Sequence, residues 1–347
     1  MNESQVSAQI TDLRPLEQSI SSEQLTAVNR LVQAKYYLDS MVDDGYGNYV
    51  TEDLGGGTSG SLFPSDFVQR VFPFIDGFEP CGSEFSALVP TSQTLGFGCK
   101  WRNTKGGERE ARRQFVTDPK RASLASDIHR AEYMWLKPLG LIMPHEGKNR
   151  VDFLREEGVE FIPARVMPYD YPVASRIQIY KINVKGINQC WAILDGEVLQ
   201  DVEHPLWALP VLTAYNVETF EQWPTNFACE HEIFDEIAKL SLPYNQWQWR
   251  NKSRYVYLSK VQSRIAKEQE DVAVSLDQIN WMRLRAKDKW WWMLAAMILS
   301  IAAFALLPST VDILIAETSG AIFGGVLALC FAYTARLFII KRRFFKQ

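Results

Sequence analysis

Apolar residues recur at Leu25, Val28, Leu31, Val32 and Leu38 in "SSEQLTAVNRLVQAKYYLDSMV". Steps of three and four predict a helix with one apolar stripe. Ser21 and Gln24 stand at capping-box spacing, which sets the helix start. From residue 139 the pattern turns strand-like. An apolar run (Leu139, Leu141, Ile142, Met143) stops at Pro144. "RIQIYKINV" and "QCWAILDGEVLQD" are rich in β-branched and aromatic residues. Lys185-Gly186 and Asp195-Gly196 fall where hairpin turns belong. "CEHEIFDEIAKL" is helical again. Helices and strands together predict the α+β class.

Two later runs are apolar throughout. Trp290 to Leu307 carries no charge, and Gly320 to Ile340 carries one, Arg336. A bilayer core needs roughly 20 apolar residues in a helix. Both runs therefore read as transmembrane helices. Trp290, Trp291 and Trp292 stand where an aromatic belt lies, and Lys and Arg flank the pair on its outer sides. Asp312 and Glu317 lie between the runs, with no Lys or Arg. The positive-inside rule then puts both termini in the cytoplasm, at the inner membrane. Gly320 and Gly324 form a GxxxG pair, a close-approach motif for packing the hairpin or building a homo-oligomer.

This pattern divides the chain into five parts. Residues 1–60 hold a helix and a Gly-rich connector, and 61–244 an α+β domain. Residues 245–289 are a basic helical stalk, 290–340 a transmembrane hairpin, and 341–347 a basic tail.

Composition narrows the function. Of 347 residues, 47% are hydrophobic and 22% charged, which excludes a disordered chain. The net charge of −4 excludes a generally basic nucleic-acid binder, so any anion contact is local. Five dispersed cysteines without a CxxC pair argue against a disulfide scaffold and for a reducing compartment. The polar start, "MNESQVSAQITDLRP", has no secretory h-region.

Candidate chemistry is sparse. "EDLGGGTSGSLFPSD" lacks the Lys-Ser/Thr of a phosphate loop and reads as a connector. Residues 100–121 gather Arg102, Lys105, Arg109, Arg112 and Arg113, but Glu108 and Glu110 dilute them, which favours a solvated helix face. Cys229, His231 and Glu232 match no metal spacing, and neither a Ser-His-Asp pattern nor HExxH occurs.

The most informative stretch is "MPHEGKNRVDFLREEGVEFIPARV". Gly147 permits close backbone approach, and Asn149 suits a helix cap. A helix N-terminus presents free N–H groups and partial positive charge. Lys148 adds a point charge and Arg150 a bidentate fork. Val151 and Leu154 face a core, and Gly158 ends the helix. The order Glu146-Gly147-x-x-Arg150, short helix, Gly158, then Phe161-Ile162-Pro163 to Val166 resembles the ParB/sulfiredoxin superfamily over residues 136–166. The resemblance implies a ParB-like mixed α/β cytoplasmic core. It also implies a phosphate pocket at Gly147, Lys148, Asn149 and Arg150, with a nucleotide as ligand. Sulfiredoxins carry a reactive cysteine where this chain has Lys148, which argues against their redox chemistry. No helix-turn-helix follows, which argues against centromere binding.

The combined expectation is a membrane-anchored sensor or effector whose cytoplasmic domain binds a nucleotide or nucleic-acid phosphate, an architecture similar to bacterial antiphage effectors. Two alternatives are a non-enzymatic scaffold that tethers a partner protein and a membrane-held ParB-like nuclease.

Overall fold

The computed structural model describes residues 13–46, 54, 62–75, 79–98, 101, 105–118, 131–240, 255–274 and 338–341. The chain divides into two units, 1–258 and 259–347. The first is α+β with two sheets.

Helix α1, Ser22–Asp43, begins as its cap residue dictates, with the Gln24 amide donating to Ser21 Oγ at 3.1 Å. The second half of the capping box is not made. Gln24 Nε2 instead donates to the Pro138 carbonyl at 2.6 Å, tying α1 to the sheet beside it. Val28, Leu31, Val32 and Val42 are buried, whereas Leu25 lies outside the stripe and is exposed. A short helix, α2 (Pro64–Val71), follows, then strand β1 (Phe85–Pro90) and helix α3 (Gly106–Thr117).

The first sheet has the order β1-β4-β2-β3, with β2 Glu132–Leu136, β3 Leu141–Glu146 and β4 Phe161–Tyr169. β2 runs parallel to β4 and antiparallel to β3. The apolar run expected to stop at Pro144 continues as strand to Glu146. β3 is an edge strand, where a residue without an N–H is tolerated. Both edges are covered. The Leu16 and Leu88 amides bond across β1, and the Leu95 amide donates to Ile142 O beside β3. Alternation along the strands feeds two cores. Tyr133, Trp135, Ile142, Ile162, Ala164 and Val166 pack under helix α4, Lys148–Glu156. Leu136, Leu141 and Met143 pack with α1 and α2 in a second core.

That second core also takes in the second sheet, ordered β8-β5-β6-β7-β9, and helix α5, Pro205–Ala214. β5 (Ile177–Val184) and β6 (Ile187–Leu194) meet at Lys185-Gly186, both with positive φ, as the twist of a two-residue hairpin requires. β7 (Val198–Asp201) follows the Asp195-Gly196 turn. β8 (Glu218–Phe220) adds in parallel to β5, and β9 (Tyr255–Tyr257) joins β7 from beyond helix α6 (Glu230–Leu240).

In the second unit, helix α7 (Leu258–Gln269) leads to strand β10, Asp271–Val274, within the stretch read as a helical stalk. β10 pairs antiparallel with β11, Phe338–Lys341. This corrects the expectation of two membrane-spanning helices. Among the described residues no helix is long and apolar enough to cross a membrane. The end of the second apolar run, Phe338 to Ile340, is strand. Hydropathy counts apolar residues without distinguishing helix from strand, and "FIIK" carries the β-branched and aromatic types that strands favour. Trp290–Leu307, Gly320 and Gly324 lie outside the described residues.

Candidate functional site

The opening stretch of α4 lies where three segments converge. Gly147 is the helix N-cap, with φ +93°, a left-handed conformation that glycine adopts without steric cost. Asn149 is therefore not the cap but the second helical residue. The Arg150 amide donates back to Gly147 O at 2.9 Å. Helical geometry leaves the Lys148 and Asn149 amides without a partner inside the helix. The far end closes as expected. Gly158 is left-handed, and Val159 N donates to Leu154 O while Gly158 N donates to Arg155 O, a Schellman motif. Val151 and Leu154 are fully buried.

The four expected site residues separate by depth. Gly147, Lys148 and Asn149 are half-buried, while Arg150 is 3% exposed. Lys148 Nζ sits 4.4 Å from the ring centroid of Phe63, which is itself 57% exposed. This is a cation–π contact at the surface. Arg150 lies beneath the turn. Desolvation lowers the pKa of its guanidinium, and the nearby Tyr133 phenol acts in the opposite direction.

Residues that sequence reading passed over complete the site. The 94–98 segment runs beside α4 and carries Gly96 and Gly98. A Cβ on Gly96 would lie 2.9 Å from Val151 Cβ, and one on Gly98 would lie 1.8 Å from Asn149 Oδ1. Both glycines are needed for helix and segment to touch. Arg155, near the end of α4, donates to Thr94 O at 2.6 Å and Gly96 O at 3.0 Å. Its guanidinium covers the Tyr36 ring at 4.9 Å, and Tyr36 packs edge-on against Phe97. Desolvation lowers the pKa of Arg155, while Asp152, Tyr36, Asp39 and Tyr133 raise it.

Helix α1 contributes an ion pair, Lys35 and Asp39, both almost fully buried. Burial lowers the Lys35 ammonium pKa and raises that of the Asp39 carboxyl, and each partner offsets the shift of the other. Lys148 also acts on both groups, which places its charge within reach of the pair. Lys35 Nζ further approaches the Leu62 carbonyl at 3.4 Å, next to Phe63. Tyr133 is packed in the core with Val151, Phe153 and Leu154 of α4. Burial pushes its phenol up to about 12, so it is protonated, and a donor, at neutral pH.

The arrangement thus sets Lys148 over the exposed Phe63 ring at the start of α4, with Arg150 buried beneath it and the Lys35–Asp39 ion pair within electrostatic reach. At that start it presents the Lys148 charge and backbone N–H groups. Its sequence signals were the "LGFG" glycines two apart and a Lys-Asp pair one turn apart on the apolar stripe of α1.

In the described part of the basic stretch, 105–118, the arginines are paired, and Arg109 reaches across to α4. Arg109 pairs with Glu156 and Glu157, and Arg112 pairs with Glu108 over the Trp101 ring. Arg102 lies outside the described residues. Among the described residues no group of three His, Cys, Asp or Glu is placed to hold a metal.

The fold and site together define an α+β unit with a cation- and aromatic-lined helix N-terminus. Comparison with protein-family models, curated proteins and solved structures returned no match.

Proposed function

We propose that the 1–258 unit is a binding module for a phosphate-bearing ligand of the nucleotide or nucleic-acid class, held at the first turn of α4. The observation that carries this reading is the placement of Lys148. Its ammonium rests on the exposed Phe63 ring at a glycine-capped helix start, close to a buried ion pair. A helix N-terminus attracts anions through its free amides and dipole, and a lysine there adds a mobile full charge. An exposed aromatic ring beside that charge offers a stacking surface for a base. The short resemblance to ParB-like domains over residues 136–166 points to the same ligand class and the same residues.

The test is thermal denaturation of the full chain with pyrophosphate, ATP and a short single-stranded oligonucleotide. A saturating ligand that binds only the folded state raises the melting temperature. Lys148→Glu reverses a half-exposed charge without disturbing the core, so it keeps the unliganded melting temperature and loses the ligand-induced rise. The reading fails if none of the three probes stabilises the wild type, or if Lys148→Glu is stabilised equally.

A further inference from the structure

Phe63 is an exposed aromatic residue whose backbone is fixed on both sides. Leu62 before it packs against the core, and Pro64 after it is buried in the first turn of α2. The Phe63 carbonyl accepts from the Phe67 amide at 2.9 Å, and Phe67 is fully buried. One ammonium touches both flanks. Lys35 Nζ lies 3.4 Å from the Leu62 carbonyl oxygen and 5.2 Å from the centroid of the Phe67 ring. Asp39, one turn along α1, pairs with the same nitrogen. Lys35 thus reaches the start of α2 from α1, with its own position set by an ion pair. Packing alone does not call for charges here, since apolar residues of similar volume often replace a buried ion pair without loss of stability. What apolar residues do not supply is a directed contact to one chosen carbonyl.

We infer that Lys35 is a positioning residue for the Phe63 ring, and that a base stacks on this ring, so that the site takes base-bearing phosphates in preference to bare ones. This deepens the proposed function and rests on it. The phosphate meets Lys148 and the amides at the start of α4, and the base lies on the ring beside that ammonium. With Lys148 over it the ring is still 57% exposed, which leaves area for the base. Stacking is tolerant of base identity, because every base has a π-face. A ring whose backbone is held beforehand loses less conformational freedom on binding than a mobile one. Lys35 provides that hold without touching the ligand.

The test is titration calorimetry of the full chain with three separate probes. These are ATP, a short single-stranded oligonucleotide, and tripolyphosphate, which keeps the phosphate chain of ATP and lacks the base. The wild type is expected to bind ATP or the oligonucleotide at least about tenfold more tightly than tripolyphosphate. Phe63→Ala, at an exposed position, removes that preference and leaves tripolyphosphate binding as in the wild type. The double variant Lys35→Met with Asp39→Leu keeps its fold and removes the same preference, and adding Phe63→Ala to it causes no further loss. A purely structural pair would weaken all probes alike or none. Equal binding of the three probes by the wild type overturns the inference. So does a double variant that keeps the preference, weakens all probes alike or fails to fold. If the preference is absent but Lys148→Glu abolishes binding, the phosphate site stands and only the stacking surface falls. If the wild type binds no probe, both readings fall. A preference shown by ATP supports the inference with a free nucleotide as ligand, and one shown by the oligonucleotide supports it with a strand.

Discussion

Lys35 and Asp39 are the residues whose burial most needs explaining. Two charges a turn apart on one helix are ordinarily a surface pair of small value. Here both are nearly inaccessible, and each partner offsets the shift that burial imposes on the other. Removing one partner leaves a buried uncompensated charge, whereas removing both can leave a neutral core. Asp39→Ala is expected to lower unfolding stability by about 3–5 kcal/mol. The double substitution Lys35→Met with Asp39→Leu is expected to cost much less. Urea denaturation of the three chains checks this, and equal losses in single and double variants would contradict it. The residue scale also shows why Arg150 and Lys148 differ in role, although they are two positions apart in one motif. On a helix that spacing turns one side chain toward the sheet and leaves the other at the rim.

At the scale of elements, α4 is held by what touches its sides. Two glycines illustrate the range. Gly158 has a left-handed conformation and open space around it, so Gly158→Ala incurs backbone strain alone, about 1–2 kcal/mol. Gly96 combines φ of +148° with a Cβ position 2.9 Å from Val151. Gly96→Ala is expected to cost clearly more than Gly158→Ala, because the 94–98 segment must move away from α4 and take the Arg155 bonds with it. Chemical denaturation ranks the two, and the reverse order would mean that the segment does not pack against α4 as described. The Schellman close of α4, the Ser21 cap of α1 and the Lys185-Gly186 hairpin were all legible beforehand. Each depends on residues within a few positions of one another. The outer strand β3 was cut short at Pro144 because its edge position, which makes proline acceptable, is a property of the sheet.

For the whole molecule, the second sheet is completed late. β9 comes from beyond α6 and pairs with β7, and the Leu258 amide donates to Glu197 O at 2.9 Å. Without β9 the β7 edge is open, and open edges invite pairing between chains. A chain ended after residue 258 is expected to keep the melting temperature of the 1–258 unit in the intact protein. One ended after residue 240 is expected to melt lower and to associate. Calorimetry with light scattering measures both, and a monomeric 1–240 chain with unchanged melting would show that β9 is dispensable.

The sequence alone determined the features carried by neighbouring residues: the α+β class, the apolar stripe of α1, both hairpin turns, and the glycine stop of α4, whereas its cap proved to be Gly147 and not Asn149. Hydrogen bonds and φ preferences act over a few residues, so short patterns suffice. Tertiary structure decided which side chains meet. It buried Arg150, brought Lys35 and Asp39 to the motif from distant positions, and made Phe338–Ile340 part of a strand where hydropathy indicated a membrane helix. Those outcomes depend on partners far apart in the chain, and local patterns do not encode them.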